Sequence, residues 1–228
     1  MIPIRDQIKT RQVPFINYLL IIINIIVFTF EWLSGAASDS ALLSQLAFTP
    51  AAFLAAPANP GNIGSIFSSM FMHAGLLHLA GNMLYLWIFG DNVEDRMGHI
   101  SYLIFYLAGG VFAALAHALI NPTSTLPTVG ASGAIAAVLG AYLILYPRSR
   151  VQTFIPIGYF LALKTLPASI LLAFWFVLQL FNGVLSLGVG EDMGGTAFWA
   201  HIGGFVLGVV VALVIGKGRD TDRYEPQW

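Results

Sequence analysis

Ser132 and His201 are the residues in this chain best suited to covalent chemistry. Ser132 lies in Gly130-Ala131-Ser132-Gly133 and His201 in Ala200-His201-Ile-Gly-Gly204-Phe-Val-Leu-Gly208. A serine hydroxyl is a weak nucleophile until an adjacent base takes its proton, and a neutral imidazole fills that role near neutral pH. Upstream stand His73, His78 and Asn82. His78 and Asn82 are four apart and so share one face of a helix. Their N–H groups, with the backbone N–H of Ser132 at the start of a helix, could receive the oxyanion of an acyl transfer. Taken singly, each residue has a plainer reading. Ser132 could be a small residue for close helix packing, His201 a core histidine on a backbone carbonyl, and His78 and Asn82 interhelical hydrogen-bonding groups. Gly204-x-x-x-Gly208 reads as packing in either case.

The elements that carry these residues decide between the readings. The chain has 228 residues, 57% hydrophobic and 9% charged, with a mean hydropathy of +0.80. Soluble domains carry about 25% charged residues, so this composition requires lipid as solvent. A membrane span needs about 20 mostly apolar residues. Six stretches qualify: 18–33, 67–89, 102–120, 129–146, 167–187 and 197–215. The expected fold is an all-α polytopic membrane protein, a bundle of six transmembrane helices. The first run is expected to be a retained helix rather than a cleaved signal peptide. The second, fourth and sixth spans run in the same direction, so His78, Asn82, Ser132 and His201 come to one depth near its outer side. The other spans offer almost nothing comparable. No carboxylate lies in the second, fourth or sixth span, so the expectation is a Ser132–His201 dyad. Ring packing or a second hydrogen bond would then hold the imidazole, in place of an aspartate.

Basic residues set the direction. With six spans, all ten Lys and Arg fall on one side: Arg5, Lys9, Arg11, Arg96, Arg148, Arg150, Lys164, Lys217, Arg219 and Arg223. The other side holds only Glu31, Asp39, Glu191 and Asp192. The positive-inside rule puts both termini in the cytoplasm. The expected organisation is a cytoplasmic segment 1–16, a six-helix membrane domain 17–216 and a cytoplasmic tail 217–228. The outer segment 34–65 is apolar for a loop, and either lies in the membrane interface or packs as an ordinary loop. A formal net charge of −1 gives no attraction to nucleic acid. Cysteine is absent, which removes disulfides, thiolate metal sites and cysteine nucleophiles. Neither metal nor cofactor is expected.

These stretches resemble the rhomboid family of intramembrane serine proteases. The resemblance is carried by His73-Ala-Gly-Leu-Leu-His78-Leu-Ala-Gly-Asn82, Gly90-Asp-Asn-Val-Glu94-Asp-Arg96-Met-Gly98, Gly130-Ala-Ser132-Gly133 and His201-Ile-Gly-Gly204-Phe-Val-Leu-Gly208. It implies a six-helix core with a short fourth helix and a wet cavity above the serine. It implies Ser132 and His201 as the dyad, His78 and Asn82 at the oxyanion site, and Glu94 with Arg96 as a structural pair in a cytoplasmic loop. The implied substrates are single-span membrane proteins, and the expected location is a bacterial inner membrane. Two departures stand out. The outer loop has no Trp or Arg after Trp32, and the position four after the serine, aromatic in some members, is Ala136. A non-catalytic rhomboid-like factor that binds membrane proteins is the alternative, and a transporter or channel is a third reading.

Overall fold

A computed structural model describes residues 1–35, 45–157, 160–189 and 196–216. Asp39, Glu191 and Asp192, and the tail 217–228, lie outside the described residues. The chain forms β1 (Ile2–Asp6), α1 (Phe15–Ser34), α2 (Pro50–Ala55), α3 (Pro60–Ser69), α4 (Leu76–Met97), α5 (His99–Ile120), α6 (Ser132–Leu145), β2 (Arg150–Ile157), β3 (Phe160–Pro167), α7 (Ala168–Val189) and α8 (Phe198–Gly216). Four helices are long and apolar enough to cross a membrane: α1, α5, α8, and α7 over Ala168–Leu187. α6 is apolar but has only 14 residues. The chain is therefore a mostly helical, multi-pass integral membrane protein.

The burial pattern fits lipid as the surrounding medium. Leu33, Leu119 and Val214 are more than two-thirds exposed, while Asn17, Asn24, Asn82 and Glu94 are buried. Polar groups turn inward because a lipid-facing donor or acceptor would go unpaired. Asn17 shows how they are satisfied. Its amide donates to the Leu86 carbonyl, its oxygen accepts from Tyr102 Oη, and α1, α4 and α5 are tied together.

At the centre stands α6, with every residue from Gly133 to Tyr142 buried. At 1.5 Å per residue this helix is too short to span lipid unaided, and its neighbours shield it. Its broadest contact is with α8. There the backbones touch: a Cβ on Gly204 would collide with the Gly133 carbonyl oxygen, and one on Gly208 with that of Ala137. On the other side a Cβ at Gly109 of α5 would lie 2.7 Å from the Ala137 methyl. Small residues are what allow helices to approach this closely in a membrane.

The all-α expectation needs correction. A three-stranded antiparallel sheet in the order β1-β2-β3 lies beside the helices. Ile2 pairs with Phe154, and Val151 with Leu166. The stretch 150–167 is too short and too broken by charge and proline for a span. Its backbone groups therefore pair with each other and with the N-terminus. The pairing places Arg5, Arg150 and Lys164 in one sheet, at one end of the bundle. It also ties residues 2–6 to the connection between α6 and α7.

Two boundaries also move. The run 67–89 is not one helix: α3 ends at Ser69 and α4 begins at Leu76, with His73 in the turn between. Glu94 and Arg96 belong to the last turns of α4, not to a loop. The fully buried Glu94 carboxylate accepts from Ile16 and Asn17 N–H at 3.0 and 2.7 Å and meets His99 Nδ1. It thus caps the N-terminus of α1, where unpaired N–H groups and the helix dipole favour an anion.

Candidate active site

Ser132 is the first residue of α6, and the segment before it is clamped. Phe48 and Thr128 exchange two backbone hydrogen bonds, 3.0 and 2.7 Å, and Gly130 N–H donates to the Ser69 carbonyl at 2.8 Å. Gly130 has φ +131°, a left-handed conformation open to glycine at little cost. A Cβ there would also lie 2.7 Å from His78 Cε1. His201 lies in the first turn of α8. The glycine contact between α6 and α8 brings this turn against Ser132, and Ser132 Oγ lies 2.7 Å from His201 Nε2.

Ser132, His201, His78 and Asn82 line one cavity of about 540 Å³. Asn82 Nδ2 lies 2.9 Å from His73 Nε2, and the His73 and His78 rings meet edge-on with centroids 5.1 Å apart. The position a Gly130 Cβ would take is 2.8 Å from His78 Nε2 and 3.7 Å from Asn82 Nδ2. Both donors therefore border the turn that leads into Ser132. The structure brings all four predicted residues to one site. His117 lines the same cavity, and its Nδ1 lies 3.2 Å from Asn121 Nδ2. His99 is not among the residues lining this cavity: it meets Glu94, and its ring packs on Phe15 with centroids 4.2 Å apart.

Sequence reasoning missed two residues of α7. Gln179 Oε1 lies 2.8 Å from His201 Nδ1. The Trp175 ring lies over the imidazole, with centroids 5.8 Å apart and planes at 36°. The expectation that the other spans offer almost nothing comparable is corrected for α7. Ala136 is small where some rhomboids carry an aromatic, and Trp175, from a different helix, covers the ring instead. The available signal was Gln179 itself, an amide in the middle of an apolar run.

A serine and a histidine thus lie in hydrogen-bond contact inside a multi-pass helical bundle, beside the amide of Asn82 and the ring of His78. A family model described as Rhomboid domain matches residues 60–218, and the chain belongs to the rhomboid family. It is similar to "Rhomboid protease GluP" of Bacillus subtilis, 27% identical over 217 residues, 92% of this chain and 38% of that protein. It is also similar to "Rhomboid protein 1, mitochondrial" of Saccharomyces cerevisiae, 29% identical over 163 residues, 70% of this chain and 44% of that protein. With "Presenilin-associated rhomboid-like protein, mitochondrial" of Bos taurus it shares 31% identity over 121 residues, 52% of this chain and 32% of that protein. The chain thus spans less than half the length of these relatives. They come from both a bacterium and mitochondria, so the expected bacterial inner membrane gains no support from them.

Proposed function

We propose that this chain is an intramembrane serine endopeptidase that cuts other membrane proteins, with Ser132 as nucleophile and His201 as general base. The observation that carries this reading is the 2.7 Å contact between Ser132 Oγ and His201 Nε2, made across 69 positions of sequence. In the first step the Ser132 hydroxyl proton passes to Nε2 while Oγ attacks the scissile carbonyl carbon. The resulting oxyanion is met by Asn82 Nδ2, the His78 ring and the Ser132 backbone N–H. Protonated His201 then gives its proton to the leaving amine, and the acyl-serine ester is hydrolysed by a water activated in the same way. The cavity above Ser132 supplies that water with a place inside an otherwise apolar bundle.

In this reading α1, α4, α5, α6, α7 and α8 are six spans, the membrane domain covers 17–216, and 217–228 form a cytoplasmic tail. The sheet supports it by joining the N-terminal segment to the α6–α7 connection on one side, with Arg5, Arg150 and Lys164. By the positive-inside rule this side is cytoplasmic. The substrates are single-span membrane proteins, which enter the cavity from the bilayer with their helix locally unwound.

The test is cleavage of a panel of tagged single-span proteins by wild type and Ser132→Ala in proteoliposomes, with fluorophosphonate labelling of Ser132 in parallel. Cleavage and labelling lost in Ser132→Ala are expected. A wild type that neither cleaves nor labels would overturn the reading.

A further inference from the structure

His201 has two ring nitrogens, and only one faces Ser132. The other, Nδ1, lies 2.8 Å from Gln179 Oε1. An amide oxygen can only accept, so this contact requires a proton on Nδ1. A neutral imidazole protonated at Nδ1 carries its free lone pair on Nε2, the atom that lies 2.7 Å from Ser132 Oγ. The opposite arrangement, with the Gln179 amide NH₂ turned to Nδ1, would put the ring proton on Nε2 and leave no acceptor for the serine. The orientation of one amide therefore decides whether the ring can act as a base.

Trp175 and Gln179 stand four apart on α7 and present one face to His201. The indole restricts the tilt of the ring and the amide restricts its tautomer. We infer that Gln179 is the positioning residue for His201, a neutral third member of the site that takes the place of a triad carboxylate. The inference rests on the assignment of Ser132 and His201 as nucleophile and base. An uncharged acceptor suits this setting, because an ionised carboxylate within a membrane bundle carries a heavy desolvation cost. The titratable groups facing His201 are His78 on α4 and His117 on α5, and no carboxylate lines the cavity among the described residues. A charge introduced at position 179 would thus be the only acid beside the ring among those residues.

The experiment compares wild type, Gln179→Met and Gln179→Glu in proteoliposomes, following kcat and KM against pH, with thermal unfolding as a check on folding. Gln179→Met keeps the side chain's length and removes the acceptor. It is expected to lower kcat by about 10- to 100-fold, less than the loss seen when a triad aspartate is changed, with KM within about twofold. Gln179→Glu keeps the acceptor and adds a charge that favours the imidazolium. It is expected to retain cleavage and to move the acid limb of the kcat profile upward by about 1–3 pH units. An unchanged kcat in Gln179→Met, or a wild-type acid limb in active Gln179→Glu, would overturn the inference while leaving the protease assignment intact. Losses of kcat that merely follow a loss of folded protein in both variants would count against it too. An inert wild type would instead remove the assignment on which it rests.

Discussion

Gly204 of α8 sits against the carbonyl oxygen of Gly133 of α6, one residue from Ser132 and three from His201, with no room for a Cβ between them. This contact is what sets the spacing of the candidate dyad. Hydroxyl-to-imidazole proton transfer needs a heavy-atom separation of about 2.6–3.2 Å, and two helices carrying ordinary side chains pack 8–10 Å apart axis to axis. Gly204→Ala must therefore push the helices apart at the point where the site is built. The expected result is destabilisation of about 1–3 kcal/mol, as for overpacking in a tight core, and loss of most cleavage. Thermal unfolding in detergent and turnover in proteoliposomes measure the two effects. Gly64→Ala on α3, whose added Cβ meets nothing within 4 Å, should leave cleavage unchanged and raise stability by up to about 1 kcal/mol, as for a glycine replaced within a helix.

Asn82 is expected to matter in the transition state rather than in substrate binding. Its Nδ2 borders the turn into Ser132 and carries one hydrogen beyond the bond to His73. Asn82→Ala should lower kcat and kcat/KM alike, by about 10²–10³ as for other oxyanion donors. An effect confined to KM would assign Asn82 to substrate binding instead.

Glu94 should be far more important for stability than its place near a helix end suggests. Its buried carboxylate accepts from both Ile16 and Asn17 N–H. Hydrogen bonds to charged groups contribute about 1.5–3 kcal/mol each. Glu94→Ala is expected to cost about 3 kcal/mol or more, seen as a lower unfolding midpoint, with Glu94→Gln intermediate because one acceptor oxygen remains.

Asp6 gives stability a pH dependence of unusual sign. Burial at the sheet raises its carboxyl from 3.8 to about 6, against the opposing hydrogen bond from Tyr142. In the unfolded chain the proton leaves near 3.8; in the folded protein it stays until about 6. Between those values the folded state binds more protons, so raising the pH through this window favours unfolding. At 1.36 kcal/mol per unit the loss is at most about 3 kcal/mol. Asp6→Asn should therefore leave stability unchanged near pH 4 and increase it above pH 6, with the gap between the two unfolding midpoints opening across the window. A gap that is constant with pH would contradict the assignment.

The helices were legible because lipid imposes a simple requirement: a long apolar run closes its own hydrogen bonds. The first, third, fifth and sixth expected spans match α1, α5, α7 and α8 within a few residues. The second expected span is too long because Phe67, Met70, Phe71 and Met72 lead into the apolar run of α4, and hydropathy does not register the turn at His73 that separates α3 from α4. The sheet was invisible for a different reason. Residues 2–6 are few and lie far in sequence from 150–157, and only pairing with that strand makes them one. At the site, Ser132, His201, His78 and Asn82 were legible because each is a polar group in an expensive place. Gln179 meets the same criterion, but with Asn182 and Ser186 beside it in sequence it forms no motif that points to chemistry. Its partner His201 is 22 positions away, and helix packing alone brings them together.

The strand at residues 2–6 has a consequence for how the chain is assembled. Its partner, β2, begins at Arg150, after α1, α4, α5 and α6. During synthesis residues 2–6 have no strand to pair with until residues 150–157 have been made. Closing that ring is a late, long-range event, and the entropy of so large a loop makes such events slow. A nascent chain halted before residue 150 would hold its early helices, with Asp6 within reach of Asn92 and Tyr142 but Ile2 and Arg5 still lacking their strand partners, so protease protection of Ile2 and Arg5 should arrive last.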